Sequence, residues 1–360
     1  MTAHYRNSYI ESEALPVEVV FHPSWWHKHA GISFDEDFFY HPARRVEAER
    51  RMEQVLFEKF GQWGLGEGRA RDLPVIGAVH NAAGYLLSEM LGCPVVYQED
   101  APPQVIPADQ AALRIDADRA VHSAAFKRLL GLKDALRARH GFLTGDINWG
   151  GVLNIALDLV GQKLFLALFS DPDGMRRQFV ELAGVIERFV TGIAEETGTS
   201  SVSVNRTVRH IARPVFLHSE CSNTMISTQH YEEFLLPIDL AWSRRFRPFG
   251  IHYCGHDPHR YAGAFARIEN LDFLDVGWGG DVKALRSALP HTFLNIRLDA
   301  VGINRYSDDE LAAIITRLVA DSGNPYLTGV CCINMDGDTD DSRVQLIFQV
   351  VAELKAGLSR

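Results

Sequence analysis

Gly250-Ile251-His252-Tyr253-Cys254, Leu271-Asp272-Phe273-Leu274-Asp275-Val276 and Thr292-Phe293-Leu294-Asn295-Ile296-Arg297 are three short apolar runs separated by longer amphipathic stretches. Short runs of this kind, alternating with helical patterns, predict parallel strands with helices packed outside them. Working toward the N-terminus, Phe142-Leu143-Thr144-Gly145-Asp146-Ile147 and Val215-Phe216-Leu217-His218 read as two more strands, with helices over 152–168 and 172–196 between them. Ser170-Asp171-Pro172 is a helix-start signal, and Ser227 offers an N-cap to a helix that runs to about Phe246, before Pro248 and Gly250. Toward the C-terminus, helices are expected at 282–289, 308–321 and 340–358, with a last strand at Tyr326-Leu327-Thr328-Gly329-Val330-Cys331.

The first 140 residues are less regular. Leu15-Pro16-Val17-Glu18-Val19-Val20-Phe21 and Leu73-Pro74-Val75-Ile76-Gly77-Ala78-Val79-His80 can supply two early strands, and 45–60 is a charged helix with apolar positions at helical spacing. The aromatic stretch that includes Trp25-Trp26-His27 and 34–40 reads as part of an N-terminal elaboration, about residues 1–70, over a barrel mouth. No repeat, low-complexity tract or linker divides the chain, so a single α/β domain over 1–360 is expected.

Composition narrows the function. A 46% hydrophobic, 23% charged chain of 360 residues has ample core, and a formal net charge of −10 with no basic stripe argues against nucleic acid or an anionic membrane as partner. The N-terminus lacks the apolar region of a secretory signal and no apolar run reaches bilayer length, which reads as cytoplasmic. Five cysteines is an odd number, and a chain this long does not need disulfides, so reduced thiols are expected.

Those thiols suggest chemistry. His252 and Cys254 are two apart on a strand and share a face, and Cys331-Cys332 ends a later strand. Imidazole and thiolate suit Zn²⁺, and three protein ligands leave a fourth tetrahedral position for substrate. Neighbouring strand residues face opposite sides, so one of Cys331 and Cys332 is a packing residue. Glu220 or His218, at the end of the preceding strand, offers a fourth ligand or an acid beside the metal; an ordinary buried hydrogen bond is the plainer account of each. Gly145-Asp146-Ile147-Asn148-Trp149-Gly150-Gly151 is a Gly-rich strand-to-helix turn able to hold an anion, with Asp146 or Asn148 lining the pocket, but it lacks the P-loop Lys-Ser/Thr. Asp257-Pro258-His259 with Gly263 falls one residue out of register with the Asp-x-His-x-x-Gly of cobalamin modules, and no Gly-x-Ser-x-Gly elbow is present.

Residues 142–173 (FLTGDINWGGVLNIALDLVGQKLFLALFSDPD), 226–237 (ISTQHYEEFLLP), His252-Tyr253-Cys254-Gly255 and 329–333 together resemble the uroporphyrinogen decarboxylase superfamily, over roughly residues 140–358. The resemblance implies a (β/α)8 TIM barrel. It also implies a choice between two branches, tetrapyrrole decarboxylases and corrinoid (methylcobamide) methyltransferases. The decarboxylases carry an Arg-Gln-Ala-Gly-Arg-type N-terminal segment, whereas Val20-Phe21-His22-Pro23-Ser24-Trp25-Trp26 has no arginine. The His-x-Cys…Cys zinc set of the methyltransferase branch maps onto His252, Cys254 and Cys331, the last from the Cys-x-Ile pattern of Cys331-Cys332-Ile333. What it implies is a zinc-dependent methyltransferase working between a small methylated substrate or thiol and a corrinoid supplied by a partner protein, with Glu220 as acid or exchangeable ligand. A homodimer is compatible. The alternatives are a decarboxylase or lyase of the same fold, or a non-catalytic accessory to a corrinoid system.

Overall fold

The computed structural model describes residues 5–76, 84–145, 149–197 and 213–358. Eight short parallel strands form the centre: β1 (Val17–Phe21), β2 (Val75–Ile76), β3 (Thr144–Gly145), β4 (Phe216–Ser219), β5 (Phe249–His252), β6 (Leu271–Val276), β7 (Phe293–Arg297) and β8 (Thr328–Met335). Six of them make one curled sheet in the order β1-β8-β7-β6-β5-β4, and β2 pairs with β3 separately. The result is an open, distorted barrel whose two sheets are not joined by ladder bonds among the described residues.

Strand boundaries follow burial on both faces. β6 is buried at every position, because one face fills the barrel and the other meets helices. Alternation then sorts side chains between two compartments. Val215, Leu217, Phe273, Phe293 and Ile10 form a closed apolar plug, and Val20, Cys331 and Ile333 form a second small interior group. Phe216, Ile251, Leu274, Ile296 and Cys332 instead join the main core between strands and helices. Cys331 and Cys332 therefore face opposite sides, with Cys331 inside the barrel.

The outer helices include α1 (Pro23–Ala30), α2 (Pro42–Phe60), α3 (Ala124–His140), α4 (Val152–Val160), α5 (Lys163–Ser170), α6 (Pro172–Thr197), α7 (Leu236–Arg245), α8 (Val282–Ala288), α9 (Asp308–Ser322) and α10 (Asp341–Leu358). Two refine the sequence reading. The segment 152–168 breaks at Gly161, whose φ of +63° suits glycine, and α4 and α5 meet at a 110° bend. The helix started by Ser227 widens to a π-turn over Tyr231–Leu235 before α7, because Pro237 has no N–H to continue an α-helical ladder. The aromatic N-terminal segment is core: Trp25 and Phe34 are fully buried, and Trp25 stacks on Phe21 with ring centroids 3.8 Å apart. No single helix is long and apolar enough to cross a membrane among the described residues.

Candidate metal centre

The C-terminal ends of β4 and β5 lie side by side, with Ser219 paired to His252. His252 is the last residue of β5, Cys254 follows in the loop, and Cys221 sits just past β4, where Glu220 opens a 3₁₀ turn. The ligand-type atoms of Cys221, His252 and Cys254 all lie within 4.8 Å of one another. His252 Nε2 is 2.8 Å from Cys254 Sγ. The Cys221 and Cys254 sulfurs are paired as a disulfide, where the sequence reading expects reduced thiols, because two neighbouring strand ends bring their Cα atoms to 5.0 Å. That spacing suits a disulfide, and reduction would free both sulfurs to turn toward one ion.

The third member of this group is Cys221, and Cys331, which the family resemblance takes as the third ligand, is not part of it. The reason is the direction of His252. Its Nδ1 is held by the Asp275 carboxylate, so Nε2 points toward Cys254. Cys331 lies behind the ring, with Sγ 3.9 Å from Asp275 Oδ1. Burial, with Asp275 close by, pushes the Cys331 thiol well above its ordinary range, and burial lifts Cys332 to about 12. Both are protonated packing thiols in this arrangement.

Behind the three donors runs a buried polar row. Glu18 pairs in register with Cys331, Cys331 with Arg297, Asn295 with Asp275, and Asp275 with His252. Asn295 Nδ2 donates to Asp275 Oδ1 at 3.3 Å, and Arg297 Nη2 is 3.4 Å from Asp275 Oδ2. Burial alone would raise the Asp275 carboxyl, but His252 and Arg297 beside it hold it below the usual range. Burial keeps His252 low against the pull of Asp275, so the ring is neutral and Nε2 has a lone pair to give. A carboxylate behind a ligating imidazole is the usual device for fixing its tautomer.

The other expected site residues have different surroundings. Asp146 and Asn148 lie outside the described residues. His218 faces the helical layer, stacked on Trp149 and edge-on to Trp242. Its Nδ1 is 2.6 Å from Asp239 Oδ1 and its Nε2 2.8 Å from Glu220 Oε1. Burial opposes a charge on this ring, yet Asp239 and Glu220 on either side raise it to about 10. Glu220 turns back under α4, where Oε1 accepts the Leu153 N–H at 2.9 Å. The helix start after the Gly-rich turn does meet an anion, and the anion is the chain's own Glu220. Gly151 permits this: a Cβ there would lie 2.5 Å from the Glu220 carboxylate.

His218 carries a pH dependence. The folded imidazole holds its proton beyond the ordinary value of 6.5, so its stabilising charge is complete below that pH and is lost as pH rises through about 10. Tm should fall across that alkaline window. His218→Gln, followed by thermal unfolding at a series of pH values, should lower Tm at neutral pH and flatten the alkaline slope; an unchanged slope would remove His218 as its source.

No known family profile and no curated protein matches this sequence. Solved structures do. A methyltransferase from Methanosarcina mazei superposes with a TM-score of 0.64 over 95% of each chain at 14% identity. The chain has the uroporphyrinogen decarboxylase fold. A B12-independent methionine synthase from Shewanella sp. W3-18-1, in complex with selenomethionine, matches with a TM-score of 0.50 and 10% identity, over 97% of this chain and 100% of the other. Within the uroporphyrinogen decarboxylase fold, the Cys221/His252/Cys254 group occupies the strand ends where parallel barrels carry their sites.

Sequence reading missed three contributors. Cys221 carries the same signal as Cys254, a cysteine just past a strand end, but has no histidine two residues before it. Asp275 is visible only once β5 and β6 are placed in register, and Arg297 only from β7 against β8.

Proposed function

We propose that this protein is a zinc-dependent methyltransferase that moves a methyl group between a small methylated donor or thiol acceptor and a corrinoid carried by a separate protein. The observation that carries the reading is the Cys221/His252/Cys254 group at the strand ends. Two thiol sulfurs and a neutral imidazole are a zinc-type donor set, and three protein ligands leave a position for substrate. The solved neighbours named as a methyltransferase and a methionine synthase fit zinc-dependent methyl transfer, and the second, being B12-independent, lends no support to the corrinoid partner.

When bound, zinc supplies Lewis acidity that lowers the pKa of a substrate thiol or polarises an ether oxygen. The protein's own residues do the rest. Asp275 fixes the His252 ring and its tautomer, so the lone pair is aimed before a ligand arrives. His252 and Arg297 beside it hold the Asp275 carboxyl below its usual range against the effect of burial. The β1 to α1 segment supplies buried Phe21, Trp25 and Trp26 and no arginine, which disfavours binding of a multiply carboxylated substrate there.

The test is a methyl-transfer assay on reduced, zinc-loaded protein, with a panel of methylated donors and thiols, run with Co(I) corrinoid, with methyl-Co(III) corrinoid and without corrinoid. Zinc-dependent change of the cobalt chromophore is expected. Zinc-dependent transfer that proceeds equally well without corrinoid would keep the methyltransferase and remove the corrinoid partner. Zinc-independent decarboxylation of an acid substrate would overturn the reading.

A further inference from the structure

The backbone of the turn that carries Cys221 is held independently of what its sulfur touches. The residues on either side of the Glu220-Cys221 pair are tied to one side chain, Asn154, the third residue of α4. Asn154 Nδ2 donates to the Ser219 carbonyl at 2.8 Å, and Asn154 Oδ1 accepts the Ser222 N–H at 2.8 Å. One amide plane thus spans the turn that presents the sulfur. The same helix start makes two more bonds to this loop, Gly151 N–H to the Ser219 carbonyl at 2.7 Å and Leu153 N–H to Glu220 Oε1. On the other side, Glu220 N–H donates to the His252 carbonyl at 3.0 Å, linking the loop to the strand of the imidazole donor.

The residue type matters. Asparagine presents a donor and an acceptor, matching a carbonyl on one side and an N–H on the other. Aspartate keeps the acceptor and sets a carboxylate oxygen against the Ser219 carbonyl. Alanine removes both contacts. The 3₁₀ turn has no side-chain cap of its own, so Asn154 is what receives the Ser222 N–H.

We propose that Asn154 is a positioning residue for the metal centre, fixing the backbone of Cys221 beside Cys254 and His252 so that, once the two sulfurs are reduced, both can turn to one ion. The inference rests on the zinc reading above. It adds that the ligand spacing is set from outside the barrel by α4, before metal binds.

Asn154→Ala and Asn154→Asp would be compared with the wild type in reduced form, with zinc affinity measured by chelator competition and Co²⁺ used as a spectroscopic probe. Asn154→Ala should weaken zinc by ~10–100-fold, the range for loss of an outer-shell contact, with Asn154→Asp between it and wild type. The sulfur-to-cobalt charge-transfer band should lose intensity as Cys221 withdraws, a change that general loss of stability would not produce in the folded, cobalt-saturated variant. Should Asn154→Ala fail to fold, Asn154→Asp carries the same two readouts. Wild-type zinc affinity and an unchanged cobalt spectrum in the folded variants would overturn the role of Asn154 while leaving the metal reading intact. A reduced wild-type chain that takes up neither ion would overturn both.

Discussion

Cys221→Ser is expected to empty the metal centre, while Cys331→Ser leaves it filled. Reduced, zinc-loaded wild type should hold about one zinc per chain after dialysis against a weak chelator, and Cys221→Ser or Cys254→Ser less than about a tenth of that, because two donors cannot hold what three and a substrate position do. Cys331→Ser exchanges a protonated interior thiol beside Asp275 for a hydroxyl, and the metal should remain. Elemental analysis reads the outcome directly. Retention in Cys221→Ser with loss in Cys331→Ser would return the third ligand to β8, as the family resemblance implies, and would require His252 to turn its free nitrogen toward that strand.

Asp275→Asn should be the most damaging change outside the ligands. It keeps the side chain's shape while removing the charge that faces His252 Nδ1 and Arg297. Two consequences are expected. Zinc affinity should fall by ~10–100-fold as the imidazole loses its fixed tautomer. Metal-free stability should fall by about 3–5 kcal/mol, because a buried guanidinium loses the carboxylate beside it. Denaturant unfolding of metal-free protein separates the second effect from the first. Wild-type values in both experiments would mean that Asp275 is a bystander.

Much of the barrel was legible because its strands are short, apolar and separated by capped helices. β6 begins and ends where the run 271–276 does, and α9 starts at Asp308, as its apolar spacing predicts, with Ser307 and Glu310 closing a capping box in front of it. The helix breaks at Gly161 and before Pro237 were less legible, since periodicity continues across both. His252 and Cys254 could be seen from spacing alone. The third member of the group could not, because Cys221 belongs to the site through a neighbouring strand rather than through a motif. His218 shows the opposite difficulty. One residue of strand phase decides whether a side chain faces the cavity or the helices, and His218 shares its phase with Phe216 on the outer side.

The place of Cys221 also changes what the metal does mechanically. Cys221 and Cys254 are 33 residues apart, past the ends of consecutive strands joined by a single helical crossover, whereas a ligand from β8 would have tied Cys254 to a strand three places along the sheet. A clamp closed over so short a loop costs little chain entropy and cross-braces little of the barrel. The ion would then staple one strand–helix–strand unit, and β8 and β1 would feel it only through the row of side chains that runs from Asp275 past Arg297 to Cys331 and Glu18.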